Sequence, residues 1–446
     1  MSRFSVFLLV LALGVSGPSL VFAESEPSSL AEQFFAKGLG YYWDQDLPQH
    51  YDEAFVWLSK AAENGHPRAQ AIVADMYNNG LGTQIDYRKG WAFSQASASQ
   101  GDSYGRFLLG KALYKALGTE RDSREGTRIL SQAMTALEVE ADSGDAHAQS
   151  ALAWIYYHLS TATKDYQKAR HWYEKAAVQG YAVAQNDLGF MFGRGDGVRK
   201  NSQAKMVWYR RAADQGYPVA QYNVALALEH EGDLQSEYEM FRLAANRDYA
   251  PAQTKLGWFA EQGKGRPRDL KKAVSWYRKA ATQGHQWAQN HLGSLYESGN
   301  GVTQNYQEAM KWYRRAAENQ YDSAFANIAH LYEQGLGVEQ DYVTARTWYE
   351  RGAKQNDSHS QARLGYLYLY GYGVKQDLKE AQTWLLKAAR GGDEWAYYGI
   401  GLIHEQRRKY WQAIRWHLLS AINGYGVGFK RAVYLMVLYP VISFRA

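Results

Sequence analysis

The sequence predicts an all-α repeat array built from helix pairs, and three observations predict it. A Trp-Tyr-x-x-Ala-Ala-x-x-Gly string recurs at a nearly constant interval. Each such glycine is followed by small and apolar residues at helical spacing. A Gly-x-Gly-Val loop then precedes the next Trp-Tyr string.

The string reads Trp172-Tyr173, Ala176-Ala177, Gly180 in one copy and Trp276-Tyr277, Ala280-Ala281, Gly284 in another. Gln320 and Asn356 stand in the Gly place after Trp312-Tyr313 and Trp348-Tyr349. The anchors fall at 65, 101, 144, 180, 216, 248, 284, 320, 356, 392 and 424. Their intervals are 36, 43, 36, 36, 32, 36, 36, 36, 36 and 32, so the period is a property of the chain and not of one motif.

The chain starts with a targeting pattern. Arg3 precedes an apolar run from Phe4 to Val15, Ser16-Gly17-Pro18 breaks it, and Val21-Phe22-Ala23 puts small residues where a signal peptidase reads. The expected organisation is a signal peptide at 1–23 and a single repeat array at 24–446, with about eleven helix-pair units and a C-terminal capping helix. The run is shorter than the roughly 20 residues needed to span a bilayer, and Pro440 interrupts the best later stretch, Val433 to Ile442. The mature chain is expected to insert into no membrane and to be secreted across the inner membrane, to the periplasm or outside the cell.

Within a unit, Ala184-Gln185, Leu188-Gly189 and Phe192 share a helix face, as do Ala288-Gln289, Leu292-Gly293 and Tyr296. This is helix A, whose Ala and Gly predict close approach by a neighbour. The loop Gly195-Asp196-Gly197-Val198, repeated at Gly299 to Val302, Gly335 to Val338 and Gly371 to Val374, predicts a left-handed cap that ends helix A. Asp-Tyr, as in Asp86-Tyr87, Asp165-Tyr166 and Asp341-Tyr342, then opens helix B with Asp as N-cap. Helix B turns Trp-Tyr inward: Trp276 and Tyr277 are expected at its contact with the adjoining helix A. Three units depart from the period. The one from 101 to 144 gains seven residues, expected at Glu120 to Glu125, and those from 216 and from 392 lose four residues each with the Gly-x-Gly loop.

These motifs, in register over residues 29 to 440, resemble the Sel1-like repeat, a relative of the tetratricopeptide repeat. The resemblance implies an α-solenoid, a right-handed superhelix of antiparallel helix pairs, used for protein–protein assembly. Its helix A surface would line the concave groove.

Composition narrows the chemistry. At 46% hydrophobic the chain is not disordered. Fifty Lys and Arg against 45 Asp and Glu, net +5 over 446 residues, do not resemble a nucleic-acid binder. With no Cys, disulfides, thiolate zinc sites, cysteine nucleophiles and a lipid-modified N-terminal Cys are excluded. No metal or cofactor motif appears. His66, His147 and His285 lie beside repeat anchors and are expected at the surface. Gly293-Ser294 falls inside helix A, away from any nucleophile turn.

One constellation remains. Glu229, Glu261, Glu297 and Glu333 stand thirteen residues after successive anchors, with Trp258 and His330 three residues before two of these positions. Identical by repetition, they lack the two distinct environments that paired catalytic carboxylates need. The expected roles are solvated helix ends or a partner-binding acidic stripe. The expected function is an exported adaptor or scaffold that binds a protein partner in its groove, in envelope assembly, sensor control or host contact, without catalytic residues. The alternative is a hydrolase like the weakly β-lactam-hydrolysing secreted members of the family, which are Cys-rich.

Overall fold

The computed structural model describes residues 29–43, 50–159 and 165–443. The expected signal peptide lies outside the described residues. Among these there are 23 helices and no strand, and 77% of the described residues are helical. The helices pair in chain order as an α-solenoid: Pro67–Asn79 with Tyr87–Ser99, Ala250–Gln262 with Leu270–Thr282, and so on to Glu394–Gln406 with Tyr410–Ile422. Helix Val427–Ser443 closes the array against the last pair.

The periodic residues explain each boundary. All eleven anchor positions have positive φ, including Asp248 at 61°, Gln320 at 60° and Asn356 at 66°. The left-handed residue ends helix B and turns the chain into the next helix A. The first Gly of the loop does the same for helix A, at φ 83° for Gly195 and 74° for Gly299. The second Gly is needed for a different reason. A β-carbon on Gly301 would lie 2.5 Å from the Leu270 carbonyl oxygen of the preceding helix B, so the loop rests directly on that backbone. Asp86 and Asp341 then accept from the first backbone N–H groups of helix B.

The Gly of the Leu-Gly pair admits a ring. A β-carbon on Gly257 would meet the Tyr277 ring at 2.5 Å, and one on Gly293 the Tyr313 ring at 2.7 Å. Thus the neighbour that approaches helix A is the Tyr of its own helix B. Tyr277 is fully buried, while Trp276 is half-buried and packs toward the cluster of Phe241 and Leu256. Lys279 covers its ring at 4.7 Å, and Arg315 covers Trp312 and Lys387 covers Trp384 in the same way.

The Gln after the small Ala has a role that its type alone did not reveal. Gln253 Nε2 donates to the Ala245 carbonyl of the preceding helix B at 3.2 Å, and its Oε1 accepts from Gln283 of the next turn at 2.9 Å. Gln149, Gln185 and Gln289 repeat both bonds, with Asn319 replacing the donor Gln at Gln289. Buried amides thus link three helices, each adding a second bond to a helix-end carbonyl that already accepts from the anchor N–H.

Two expectations change. The long unit keeps a regular loop, capped by Ala116 at φ 61° and Asp122, and its seven extra residues lengthen helix B, Ser123–Asp142, by two turns. The insertion is therefore not at Glu120 to Glu125. Leu130, Ala133, Leu137 and Ala141 keep one buried stripe along it. His147 is buried rather than at the surface, because the array folds back on it. His66 and His285 are N-caps: each Nδ1 accepts from a first-turn backbone N–H, at 3.1 and 3.4 Å.

Candidate functional site

The acidic line forms as spaced, one residue per helix A, in Pro218–Glu231, Ala250–Gln262, Gln286–Ser298 and Asp322–Gln334. Each carboxylate already has partners. Tyr277 Oη donates to Glu261 at 2.7 Å, Tyr313 to Glu297 at 2.6 Å and Tyr349 to Glu333 at 2.7 Å. Tyr277 and Tyr313, which rest on Gly257 and Gly293, thus end in a hydrogen bond to their own helix A, as does Tyr349, whose helix A carries Ala329 in that place. Burial first, and the carboxylate next, push these three hydroxyls far above the ordinary tyrosine range.

All four also reach into the next unit. Arg363 forms an ion pair with Glu333, and His291 Nδ1 lies 4.0 Å from Glu261. Glu297 has His330 Nε2 at 3.8 Å. Glu229 has Phe241 where others have Tyr, and takes Lys255 at 3.4 Å and Lys264 at 3.5 Å instead. Partial burial raises the Glu229 pKa, but the two ammonium groups outweigh it and hold the carboxylate below its ordinary value. Trp258 is half-buried, with those two ammoniums 5.8 and 5.2 Å from its ring. Side-chain exposures of 32, 20, 24 and 11% for Glu229, Glu261, Glu297 and Glu333 show that none stands free in solvent. Chemically the line bolts helix B to helix A and helix A to its successor.

Specific variation lies three residues earlier on helix A. There the units show Leu226, Trp258, Ser294, His330, Tyr366 and Leu402 on an otherwise repeated frame. In the second unit the same offset holds Asp75, which is buried. Tyr181 Oη donates to Asp75 at 2.7 Å, as does Asn79 Nδ2, and Tyr104 and Tyr181 share a hydrogen bond of 3.1 Å. Tyr217 Oη reaches Asn79 at 3.3 Å, and His147 Nε2 lies 3.3 Å from the Tyr42 hydroxyl. These bonds join A helices and their entry residues up to 138 residues apart, so the A helices face inward around a tight turn. Arg68 completes the wall with Asp102 at 3.4 Å, Asp145 at 3.8 Å and Glu140. The period could not reveal this, because these contacts join units across a superhelical turn rather than repeating from one unit to the next. An acid at an inner-face offset was the available signal.

No group of three or more His, Cys, Asp or Glu placed to hold a metal occurs among the described residues, and no helix there is long and apolar enough to cross a membrane.

Comparison with known proteins places this geometry. The chain is similar to the crystal structure of c5321, a protective antigen present in uropathogenic Escherichia coli strains that displays an SLR fold. Identity is 30%, over 91% of this chain and 87% of that one, with a TM-score of 0.60. It is also similar to a Sel1 repeat protein from Oxalobacter formigenes, at 30% identity over 68% of this chain and 87% of that one, with a TM-score of 0.48. A chitin synthase regulator of Saccharomyces cerevisiae is 32% identical over 82 residues, and the match spans 12% of that regulator. The Sel1 repeat family pattern matches residues 36–66, 67–102, 146–181, 182–217, 250–285, 288–321, 324–357 and 358–393. It passes over the long unit after Gly101 and the short units after Gly216 and Gly392, where the structure departs from the frame; the chain belongs to the Sel1 repeat family.

Proposed function

We propose that this protein is an exported scaffold that holds a segment of a partner protein along the inner surface of its later A helices, from Pro218 to Gln406. Sel1 repeat proteins generally mediate protein–protein interaction, and scaffolds of this kind are typically non-enzymatic. The observation that carries the reading is the strip Trp258, Ser294, His330 and Tyr366. A rigid, repeated frame presents a different side chain in each unit, which is how a repeat protein encodes one partner. The tied carboxylates beside the strip fix its spacing and add negative potential, which favours a basic or amide-rich segment.

Export is supported by the pattern at 1–23. The similar Escherichia coli protein is described as a protective antigen, a term that implies exposure to a host, and this favours the cell exterior or the periplasm over the cytoplasm. The test is capture of partners from an envelope extract by wild type and by a Trp258→Ala, His330→Ala variant. The reading expects one or more partners to be lost from the variant at unchanged melting temperature. Equal recovery by both, or nitrocefin turnover by the purified chain, would contradict it.

A further inference from the structure

The regular units close their loops tightly, and one unit does not. In most of them the second loop Gly presses on the preceding helix B, as Gly301 does on Leu270, and the Val after it packs partly buried under the loop, as Val302 and Val338 do. The unit of Ala250–Gln262 and Leu270–Thr282 follows the unit that lost its Gly-x-Gly loop, where only Gly232 and Asp233 separate the helices. A β-carbon on Gly265 would come no closer than 3.5 Å to any atom, so the loop stands off. Arg266 takes the Val place, and its guanidinium lies 3.8 Å from the Tyr238 ring centre. An open cavity of about 700 Å³ results, with Tyr238, Leu256, Phe259 and Leu270 among its lining.

The rim is cationic. Arg266, Arg268, Lys271 and Lys272 surround the opening with Asp269 as the one acid, and Asp269 is engaged as the cap of Leu270–Thr282. Arg266 has Glu239 at 3.8 Å, and Arg268 donates to the Glu261 backbone carbonyl at 2.9 Å. Among the described residues, Arg268, Lys271, Lys272, Arg278 and Lys279 form no ion pair with a carboxylate. A shallower groove lined by Lys271, Val274, Ser275, Arg278 and Lys279 continues along helix B. From Lys271 to Lys279 the charges run roughly 12 Å at the α-helical rise, longer than a single small anion and matched to a few extended residues.

We propose that this cavity docks an acidic peptide segment of a partner protein. A large apolar side chain enters the cavity, and flanking carboxylates meet Arg268, Lys271, Lys272 and the cations along helix B. Charge complementarity selects the segment and the apolar floor anchors it. The site does not use the strip at Trp258 and His330, so it stands or falls separately from the inner-surface reading.

The experiment is selection of a random peptide display library on the purified chain, followed by fluorescence anisotropy with the enriched sequence. Enriched peptides should carry clustered Asp and Glu around an aromatic or aliphatic residue. The Lys271→Glu, Lys272→Glu variant alters exposed side chains and should weaken binding by about tenfold or more. Arg266→Val, which restores the residue of regular units, should also weaken binding without lowering the melting temperature. A Val139→Ala control, at an exposed position on the long helix Ser123–Asp142, should bind as wild type. Enrichment without acidic bias, equal binding by the double variant, or binding of phosphatidylglycerol vesicles in place of peptides would overturn the proposal.

Discussion

The first and second halves of this protein use one repeat frame to build different objects. From Tyr42 to Leu228 a single hydrophobic cluster runs through every helix pair, and polar bonds cross its middle from Asp75 to Tyr181 and from Asn79 to Tyr217. Arg247 reaches back to Asp52 at 3.1 Å and its carbonyl accepts from the Ile85 N–H, which closes the turn. Beyond it the core breaks into smaller clusters of roughly one unit each, such as those around Phe241, Tyr277, Tyr313, Tyr349 and Leu385. The periodic Ala, Gly, Gln and Tyr residues are shared. What differs is the inner face. Among the described residues, Asp75, Asn79, Tyr104, Tyr181 and Tyr217 hydrogen-bond one another and His147 meets Tyr42 across the first turn, whereas Trp258, Ser294 and His330 have no such partners across the array. The frame sets how a unit stacks, and the residues outside the frame decide whether the superhelix closes on itself.

That contrast can be broken by mutation. Tyr181→Ala removes a buried ring and two polar bonds, and should cost about 3–5 kcal/mol. Because its cluster spans the whole first turn, denaturant unfolding should shift for every probe between Tyr42 and Leu228. Tyr277→Ala should cost a similar amount but be felt by the pairs on either side of it, leaving the first turn's transition in place. Tyr277, not Trp276, carries the larger effect, since Trp276 is half-exposed under Lys279. Glu333→Gln leaves Arg363 without its ion pair and should lose about 2 kcal/mol in chemical denaturation.

A pH dependence sharpens the comparison. Burial holds the His147 pKa below its ordinary value, against the carboxylates of Asp145 and Asp75 and together with the charge of Arg68. Tyr42, Tyr104, Tyr181 and Trp43 face the same ring. The unfolded chain then binds a proton that the folded chain does not, so stability falls as pH drops below the ordinary histidine value. Acid titration should loosen the first turn, and His147→Gln should flatten that slope. The smallest effect is a gain. Gln320 holds φ 60° at an anchor that is Gly in eight of the eleven copies, and Gln320→Gly should raise stability by about 1 kcal/mol in the denaturation midpoint.

The frame was legible because repetition tells one residue's role eleven times. Anchor, loop and N-cap residues all fall where the period puts them, even where Asp248 or Asn356 replaces Gly. Burial of Tyr277 was legible as well, but its hydrogen bond to Glu261 was not. Glu looks solvated when read as a helix end, and only the Tyr sixteen residues later shows that it is an acceptor. The Gln ladder was hidden for the same reason, since an amide is informative only beside the carbonyl it satisfies. His147 and the Asp75 network were out of reach of periodicity, because contacts across a superhelical turn depend on the curvature accumulated over several units. The seven-residue insertion was misplaced because Glu120 to Glu125 is polar, while two extra helical turns preserve the buried stripe and leave no break in the pattern.

With this architecture the first turn should behave as one cooperative body and the later units as separate ones. Native-state hydrogen exchange of the wild-type chain across a denaturant series measures this directly. Amides from Tyr42 to Leu228 should converge on one opening free energy. Those from Ala250 to Ile422 should open in steps, unit by unit, with the lowest values toward the C-terminal end. Convergence of both halves on one value, or a graded series that runs unbroken through the first turn, would contradict it.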